Sequence, residues 1–124
     1  MARILVVDDE APIRDILSRR LTQWGHDVVT AHGAEAALEE MAREPAQIVF
    51  SDVIMPLLDG VWLAGQIRER WPGTVIVAVS GAQEMETVVK MRKYGAIDYV
   101  TKPIDFAYLT QSVETAVAMK ELGP

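Results

Sequence analysis

Five short strand-like segments alternate with five helix-like segments along the 124 residues, and this alternation restricts the fold more than any other feature. The strand-like segments span residues 3–7, 27–31, 47–52, 74–80 and 96–101. Nearly continuous apolar runs, such as 74–80, suit strands that are covered on both faces, as in a parallel sheet. The alternation therefore predicts an α/β fold, in which helices pack on both faces of a five-stranded parallel sheet.

The helix-like segments repeat apolar residues at helical spacing, which predicts a core-facing stripe on each helix. The fourth helix is expected over 84–94 and the fifth over 105–122, and the more polar last strand is expected nearer an edge of the sheet. No linker or repeat interrupts the pattern, so residues 1–124 are expected to form one domain. The residues predicted to face the core are Ile13, Ile16, Leu17, Leu21, Ala37, Leu38, Met41, Val61, Leu63, Ala64, Ile67, Met85, Val88, Val89, Met91, Phe106, Leu109, Val113, Ala116, Val117 and Met119.

Composition excludes several classes of function. With 12 basic and 18 acidic residues, the chain carries a formal net charge of −6. This balance disfavours direct binding of the domain to nucleic acid or to an anionic membrane surface. Cysteine is absent, which excludes disulfide and zinc–thiolate chemistry. No apolar run approaches the ~20 residues that cross a bilayer, and no signal-peptide pattern opens the chain, so a cytoplasmic domain is expected.

Polar side chains stand at the ends of four of the five predicted strands. They are Asp8 and Asp9 after the first, Asp52 at the end of the third, Ser80 at the end of the fourth and Lys102 after the fifth. All strands of a parallel sheet end on the same side, and ligands bind in the crevice beyond those ends. Three converging carboxylates repel one another unless a cation intervenes, and Mg²⁺ prefers oxygen ligands.

The remaining residue types at these strand ends suit phosphate. Ser80 offers a hydroxyl and Lys102 a positive charge, while Gly81 leaves room for a close approach. The phosphate-binding loops GxxxxGK[ST] and GxGxxG are absent, and His26 and His32 lie away from this group. The pattern predicts attack by a carboxylate on an activated phosphoryl group, giving an aspartyl phosphate.

The chain resembles the receiver domain of two-component response regulators over essentially its whole length, and the chemotaxis response regulator is a similar member. The resemblance is carried by four motifs: Val7–Glu10 (VDDE), Asp52–Pro56 (DVIMP) with Asp59–Gly60, Ser80–Gly81, and Tyr99–Pro103 (YVTKP). It implies a flavodoxin-like, doubly wound sheet with strand order 2-1-3-4-5. It also implies a signalling switch that accepts a phosphoryl group from the phosphohistidine of a sensor histidine kinase or a histidine phosphotransfer protein.

The resemblance also implies residue roles. Asp52 would accept the phosphoryl group. Asp8, Asp9, Asp52 and the backbone carbonyl of Ile54 would hold Mg²⁺, with Mn²⁺ as an alternative ion, and Asp8 would act largely through a metal-bound water. Lys102 and Ser80 would hold phosphoryl oxygens, and the Lys102–Pro103 bond would be cis.

The signalling output is implied in the same way. Ser80 and its loop would move toward the phosphoryl group, and Tyr99 would turn inward. The face formed by the fourth helix, the fifth strand and the fifth helix would then change for a partner, and that face could support a receiver homodimer. By itself, the domain would catalyse only its own phosphorylation and slow autodephosphorylation.

Two departures from the family pattern carry expectations. Leu57–Leu58 stand where the family often has Gly–Met, which is expected to alter only the loop after the third strand. Ile54 and Ala82 occupy two variable positions that, in the family, position or obstruct the hydrolytic water. An apolar pair cannot orient that water by hydrogen bonds, so slow self-dephosphorylation is expected.

Other interpretations of the same residues stay open. A Mg²⁺-dependent phosphatase or phosphotransferase of the haloacid-dehalogenase type would also form an aspartyl phosphate, but it would need an acid where Ile54 stands. A flavodoxin-like ligand binder would need a Ser/Thr-rich phosphate loop after the first strand. A receiver used only for contacts would not need the full set of phosphorylation residues. Asp8 and Asp9 could also be an ordinary helix N-cap pair.

Overall fold

A computed structural model describes residues 1–81 and 85–122. The strands are β1 (Arg3–Val7), β2 (Asp27–Ala31), β3 (Ile48–Asp52), β4 (Val75–Ser80) and β5 (Ala96–Thr101). The helices are α1 (Ala11–Gln23), α2 (Ala34–Arg43), α3 (Gly60–Arg70), α4 (Met85–Lys93) and α5 (Phe106–Leu122). The role predicted for Ala82, the start predicted for the fourth helix at residue 84 and the burial predicted for the Met85 side chain lie outside the described residues.

The five strands form one parallel sheet in the order β2-β1-β3-β4-β5. This order and the parallel arrangement confirm the predicted flavodoxin-like fold. The placement of β5 at an edge confirms the expectation drawn from its more polar sequence. Because every strand runs in the same direction, residues 8, 52, 80 and 102 come to one edge of the sheet.

The core lies on both faces of the sheet. One face packs mainly under α2, α3 and α4, with Met41, Leu63 and Met91 among its fully buried residues. The other face packs under α1 and α5, with Leu17 and Leu109 among its fully buried residues. Every residue of β3 and β4 is buried, as expected for central strands covered on both sides. These two strands therefore give the site a rigid base.

Four residues predicted to face the core are exposed, and for these the prediction was wrong. In α1, Leu17 and Leu21 are buried whereas Ile16 is 40% exposed, because neighbouring residues of a helix point about 100° apart. Val89 follows the buried Val88 in the same way. A helix on a sheet buries one narrow stripe, and residues beside that stripe remain in solvent. The other two exposed residues are Phe106 and Met119 of α5.

A hydrogen bond between side chains joins α5 to the edge strand β5. The Tyr108 hydroxyl donates to Oδ1 of Asp98, which also accepts the backbone N–H of Tyr99 at 2.8 Å. The carboxylate acceptor and partial burial raise the pKa of Tyr108 to about 12. The bond therefore fastens α5 beside Tyr99, the residue for which a switching role is expected.

We expect Tyr108→Phe to lower the free energy of unfolding at pH 7 by about 0.5–1.5 kcal/mol, the usual contribution of one hydrogen bond. Because the folded-state pKa of Tyr108 lies above its ordinary value of 10.0, this stabilisation is complete below pH 10 and is lost as the pH rises through about 12. Urea unfolding of both proteins at pH 7 and pH 11 measures the difference. Equal stabilities at pH 7 would contradict the prediction.

No helix among the described residues is both long enough and apolar enough to span a bilayer.

Candidate functional site

Four strand ends bring the predicted site residues together. Asp52 and Ser80 are the last residues of β3 and β4, and Asp8 and Lys102 directly follow β1 and β5. The Lys102 N–H donates to the Ser80 carbonyl at 2.8 Å, and the Val53 N–H donates to the Val79 carbonyl at 3.1 Å. The sheet ladder thus continues one step beyond the strands and fixes the backbone on which the site is built.

Three carboxylates converge at this edge. One carboxylate oxygen from each of Asp8, Asp9 and Asp52 lies within 4.8 Å of the others. Asp8 and Asp52 are buried, with 1% and 2% of their surface exposed, whereas Asp9 is exposed. Oxygen ligands at this spacing, two buried and one open to solvent, suit a hard divalent cation such as Mg²⁺.

Asp8 is held in place from two sides and is not the cap of α1. Its Oδ1 accepts the N–H of Glu10 at 2.8 Å, and its backbone carbonyl accepts a hydrogen bond from Nη1 of Arg14 at 2.7 Å. The N-cap residue of α1 is Glu10, whose side chain makes no capping hydrogen bond. The alternative interpretation of Asp8 and Asp9 as an ordinary cap pair is therefore wrong.

The Lys102 ammonium group is the cation at the centre of this acidic cluster. Nζ lies 3.1 Å from Oδ2 of Asp8 and 3.2 Å from Oδ2 of Asp52. It also lies 3.2 Å from Oε2 of Glu10, a partner that the sequence patterns did not indicate. The Lys102–Pro103 peptide bond is cis, as expected. One lysine thus partly neutralises three carboxylates.

Burial and mutual repulsion change how these groups ionise. Burial, followed by the charge of Asp8, raises the pKa of Asp52 to about 7, although Lys102 opposes the shift. Burial also raises the pKa of Asp8. Burial alone would lower the pKa of Lys102, but the charges of Asp52 and Asp8 outweigh it and raise that pKa. In the absence of a metal, the site therefore holds more negative charge than one lysine can stabilise.

We expect Asp52→Asn to be more stable than the wild type by about 2 kcal/mol at pH 8 without divalent metal. Because the folded-state pKa of Asp52 lies above its ordinary value of 3.8, ionisation of this group disfavours the folded state. The stability that protonated Asp52 contributes is complete below pH 4 and is lost as the pH rises through about 7. The difference should therefore shrink at pH 4. Urea unfolding in EDTA at both pH values measures it, and a less stable variant at pH 8 would contradict the prediction.

Ser80 presents an unpaired hydroxyl at the same edge. The residue is completely buried, and no described group forms a hydrogen bond with its Oγ. A buried polar atom without a partner is costly, and such atoms in native structures often await a ligand. The Ser80 hydroxyl can therefore bind an oxygen of a group that is held beside Asp52.

Two other predicted residues are Ile54 and Tyr99. The Ile54 side chain is about half exposed and lines a cleft of about 570 Å³ between α3 and α4, together with Asp59 and Trp62. Tyr99 is half-buried in β5 and packs against the core on the α4 side of the sheet.

The two ends of the loop between β3 and α3 are joined by a hydrogen bond. The Gly60 N–H donates to the Val53 carbonyl at 2.8 Å, and the Asp59 side chain caps α3 by accepting the Trp62 N–H at 2.9 Å. A Cβ atom on Gly60 would lie 2.3 Å from the Asp52 carbonyl oxygen. The start of α3 therefore touches the backbone that carries Asp52. Leu57, in this loop, has a φ of 70°.

Some features of the site had no sequence signal. Glu10 reaches Lys102 across 92 residues, and acids beside a strand end are too common to indicate that contact. The Arg14 contact with Asp8 and the positive φ of Leu57 were also missed. The sequence motifs around Asp52, Ser80 and Lys102 did indicate residues that the structure places side by side.

Comparison with known proteins identifies relatives of the whole chain. The family model of the response regulator receiver domain matches residues 4–114. The response regulator protein FleR of Pseudomonas aeruginosa is 38% identical over 104 residues, which cover 84% of this chain and 22% of FleR. The transcriptional regulatory protein ZraR of Escherichia coli is 35% identical over 115 residues, covering 93% of this chain and 26% of ZraR. The chain thus spans about a quarter of the length of these relatives.

Solved structures show the same fold. NtrX from Brucella abortus superposes with a TM-score of 0.93 at 35% identity, over 98% of this chain and 28% of that chain. The separate receiver domain of NtrX superposes with a TM-score of 0.89 at 35% identity, over 93% of this chain and 98% of that one.

Proposed function

Because this chain belongs to the response regulator receiver family and is a phosphorylation-activated switch of a two-component system, we propose that Asp52 is the residue that accepts the phosphoryl group. The observation that carries this proposal is the position of its carboxylate. It lies at the carboxyl end of β3, 3.2 Å from the Lys102 ammonium and beside two further acids. The phosphatase alternative is not favoured, since Ile54 stands where such an enzyme needs an acid.

We propose Mg²⁺ as the cofactor, with Mn²⁺ as an alternative. Asp9, Asp52 and the backbone carbonyl of Ile54 would hold the ion, and Asp8 would act mainly through a bound water. The clustering of the three carboxylate oxygens supports this set. When bound, the ion would neutralise charge on the phosphoryl oxygens and the carboxylates. It would also favour the ionised form of Asp52, the form that attacks phosphorus.

The proposed reaction is a transfer of the phosphoryl group from a phosphohistidine of a sensor histidine kinase or a histidine phosphotransfer protein. An oxygen of ionised Asp52 forms a bond to phosphorus while the bond from phosphorus to the histidine nitrogen breaks, and the imidazole leaves with that electron pair and takes up a proton. Lys102 Nζ remains close to Asp52 and holds one phosphoryl oxygen. The free hydroxyl of Ser80 donates a hydrogen bond to another.

We propose that this new bond to Ser80 is coupled to Tyr99. Movement of Ser80 toward the phosphoryl group would open space for the half-buried Tyr99 ring to turn inward. The face of α4, β5 and α5 would then change for a partner or for a receiver homodimer. This requires differential stabilisation of only a few kcal/mol between two states.

The extent and context of the domain are part of the proposal. Residues 1–124 would form one receiver domain in the cytoplasm, with no direct nucleic-acid or membrane binding of its own. It would catalyse only its own phosphorylation and slow autodephosphorylation. The greater length of FleR and ZraR supports an output that lies in other segments or partners.

Intact-mass spectrometry after incubation with acetyl phosphate tests this proposal. The wild type should gain one phosphate in the presence of Mg²⁺ and almost none in EDTA. Asp52→Ala should gain none under either condition, while Asp15→Ala, which removes an exposed acid of α1, should behave as the wild type. A full adduct on Asp52→Ala would overturn the assignment.

The lifetime of the phosphorylated state should depend on Ile54 and Ala82. We expect the double variant Ile54→Asn with Ala82→Glu to lose phosphate faster than the wild type, because polar side chains can orient the attacking water by hydrogen bonds. The decay of the adduct after removal of acetyl phosphate measures this rate. The exchange Ile54→Val, which keeps an apolar side chain and leaves Ala82 in place, serves as the conservative control. An unchanged decay rate in the polar variant would show that these positions do not set the lifetime.

A further inference from the structure

Leu57 combines two unfavourable features. Its side chain is 99% exposed, the highest value among the large apolar residues of the described chain. Its φ of 70° lies in the left-handed region, which glycine adopts readily and leucine does not. An exposed apolar side chain gains nothing from the fold, so the folded domain by itself offers no reason for leucine here.

Hydrogen bonds fix the backbone around Leu57. The Leu58 N–H donates to the Pro56 carbonyl at 2.9 Å, which closes a three-residue turn with Leu57 at its apex. A turn of this kind with positive φ at its centre is rare and strained. Met55 is buried behind the turn, and Gly60 ties the end of the loop back to Val53. The loop therefore holds Leu57 outward in a defined position.

Leu57 lies close to the cluster of acids that includes Asp52. It lines a cleft of about 270 Å³ together with Asp9, one of the three clustered acids, and with Ala36 and Leu58. The Asp52 carboxylate, another member of this cluster, is almost fully buried. A histidine side chain that delivers phosphorus to Asp52 is short, so the protein surface bearing it must cover the strand ends and the loop that carries Leu57.

We propose that Leu57 is a specificity-determining contact for the protein phosphodonor, and that its side chain inserts into an apolar depression on that protein. This inference rests on the proposed function of Asp52. The occupant should be apolar at its centre and basic around it, because Asp9 and Glu35 border the cleft and both are exposed. Strain kept at a functional contact also accounts for leucine at a position suited to glycine.

Two phosphodonors distinguish a role of Leu57 in protein docking from a role in phosphoryl transfer. Acetyl phosphate is small enough to reach Asp52 without contacting Leu57, whereas a kinase core must cover the loop that carries Leu57. The second donor is a histidine kinase core that has been autophosphorylated with radiolabelled ATP. It is chosen because it transfers phosphate to the wild type. Leu57→Gly should keep its labelling rate with acetyl phosphate within about twofold, and its kcat/KM for transfer from the kinase core should fall about tenfold, the loss expected for one leucine contact.

Three further variants test whether the effect is specific to the Leu57 side chain. Leu57→Asn, which tolerates a positive φ, should lose transfer like Leu57→Gly, and Leu57→Met should retain most of it. Met119→Gln removes another exposed apolar side chain, beside Gly73 and Val75 at the opposite end of the sheet, and should change nothing. The urea midpoint of Leu57→Gly should equal or exceed that of the wild type, because glycine relieves the strain.

The outcomes separate the two proposals. A wild type that acetyl phosphate does not label would refute the assignment of Asp52. A wild type labelled by both donors, with Leu57→Gly equal to it in both reactions, would refute the contact alone. Equal slowing with both donors would place Leu57 in the chemistry and also refute the contact.

Discussion

Lys102→Met should reduce the rate at which acetyl phosphate labels Asp52 by about 100-fold or more, the usual effect of removing one fixed positive or hydrogen-bonding group from a transition state. Lys102 Nζ lies 3.2 Å from the Asp52 carboxylate, so it is placed to meet the charge that develops on the transferring group. Methionine keeps much of the length and apolar surface of the stem. The loss should therefore reflect the missing charge and not a missing volume.

The same change should also alter stability. Without Lys102, the buried carboxylates of Asp8 and Asp52 lose their common cation, which should lower the free energy of unfolding by about 3 kcal/mol at pH 8 in EDTA. The loss should shrink as the pH falls, because both carboxyls can then take up protons. Added Mg²⁺ should stabilise the variant more than the wild type, since no ammonium competes for the carboxylates.

Lys93→Met provides the matched control, because Lys93 is an exposed lysine on α4. It should label and unfold like the wild type. Labelling rates from intact mass and urea unfolding at pH 6 and pH 8 supply the measurements. If Lys102→Met labelled as fast as Lys93→Met, Lys102 would have no part in phosphoryl transfer.

Gly60→Ala should destabilise the protein by about 3 kcal/mol and slow labelling of Asp52. The added Cβ would lie 2.3 Å from the Asp52 carbonyl oxygen and 2.9 Å from the Val53 Cα, and both are backbone atoms. Neither can rotate away, so either α3 or the end of β3 must shift. A shift of the strand end would displace the carboxylate from Lys102.

Gly65→Ala tests whether the effect comes from this contact. Gly65 lies in the same helix, and a Cβ there would lie 3.6 Å from the Tyr94 ring, an ordinary packing distance. Alanine is also the better helix former, so this variant should gain about 0.5–1 kcal/mol. Urea unfolding and intact mass measure both variants. Equal stability of the two alanine variants would contradict the steric explanation.

The fold could be predicted from sequence because each strand is marked independently. The predicted bounds of β1, β2 and β5 are those observed, and β3 and β4 begin one residue later than predicted. Strand ends are sharp here because apolar runs meet acids, glycine or proline, and these residues stop a buried strand. The strand order, in contrast, came from the family resemblance.

Burial on the helices was predicted less well. Helical spacing indicates which side of a helix faces the sheet, but it does not indicate how wide the covered stripe is. That width depends on the packing of neighbouring helices, as the contrast between buried Val88 and exposed Val89 illustrates.

The residues of the site could be predicted from the sequence, but the balance of their charges could not. Asp8, Asp52 and Lys102 follow strands, so topology alone brings them to one edge. That Glu10 also contacts Lys102, and that the pKa of Asp52 rises to about 7, depend on side-chain positions and burial. Backbone strain at Leu57 depends in the same way on how the loop closes between Val53 and Gly60.

Reductive trapping of the phosphorylated chain tests the assignment of Asp52 most directly. Borohydride converts an aspartyl phosphate to homoserine, and peptide mass spectrometry then locates the modified residue. After labelling with acetyl phosphate and Mg²⁺, homoserine should appear at position 52 and at no other position. Homoserine at position 8 or 9, or a phosphate that survives reduction on Ser80, would contradict the account.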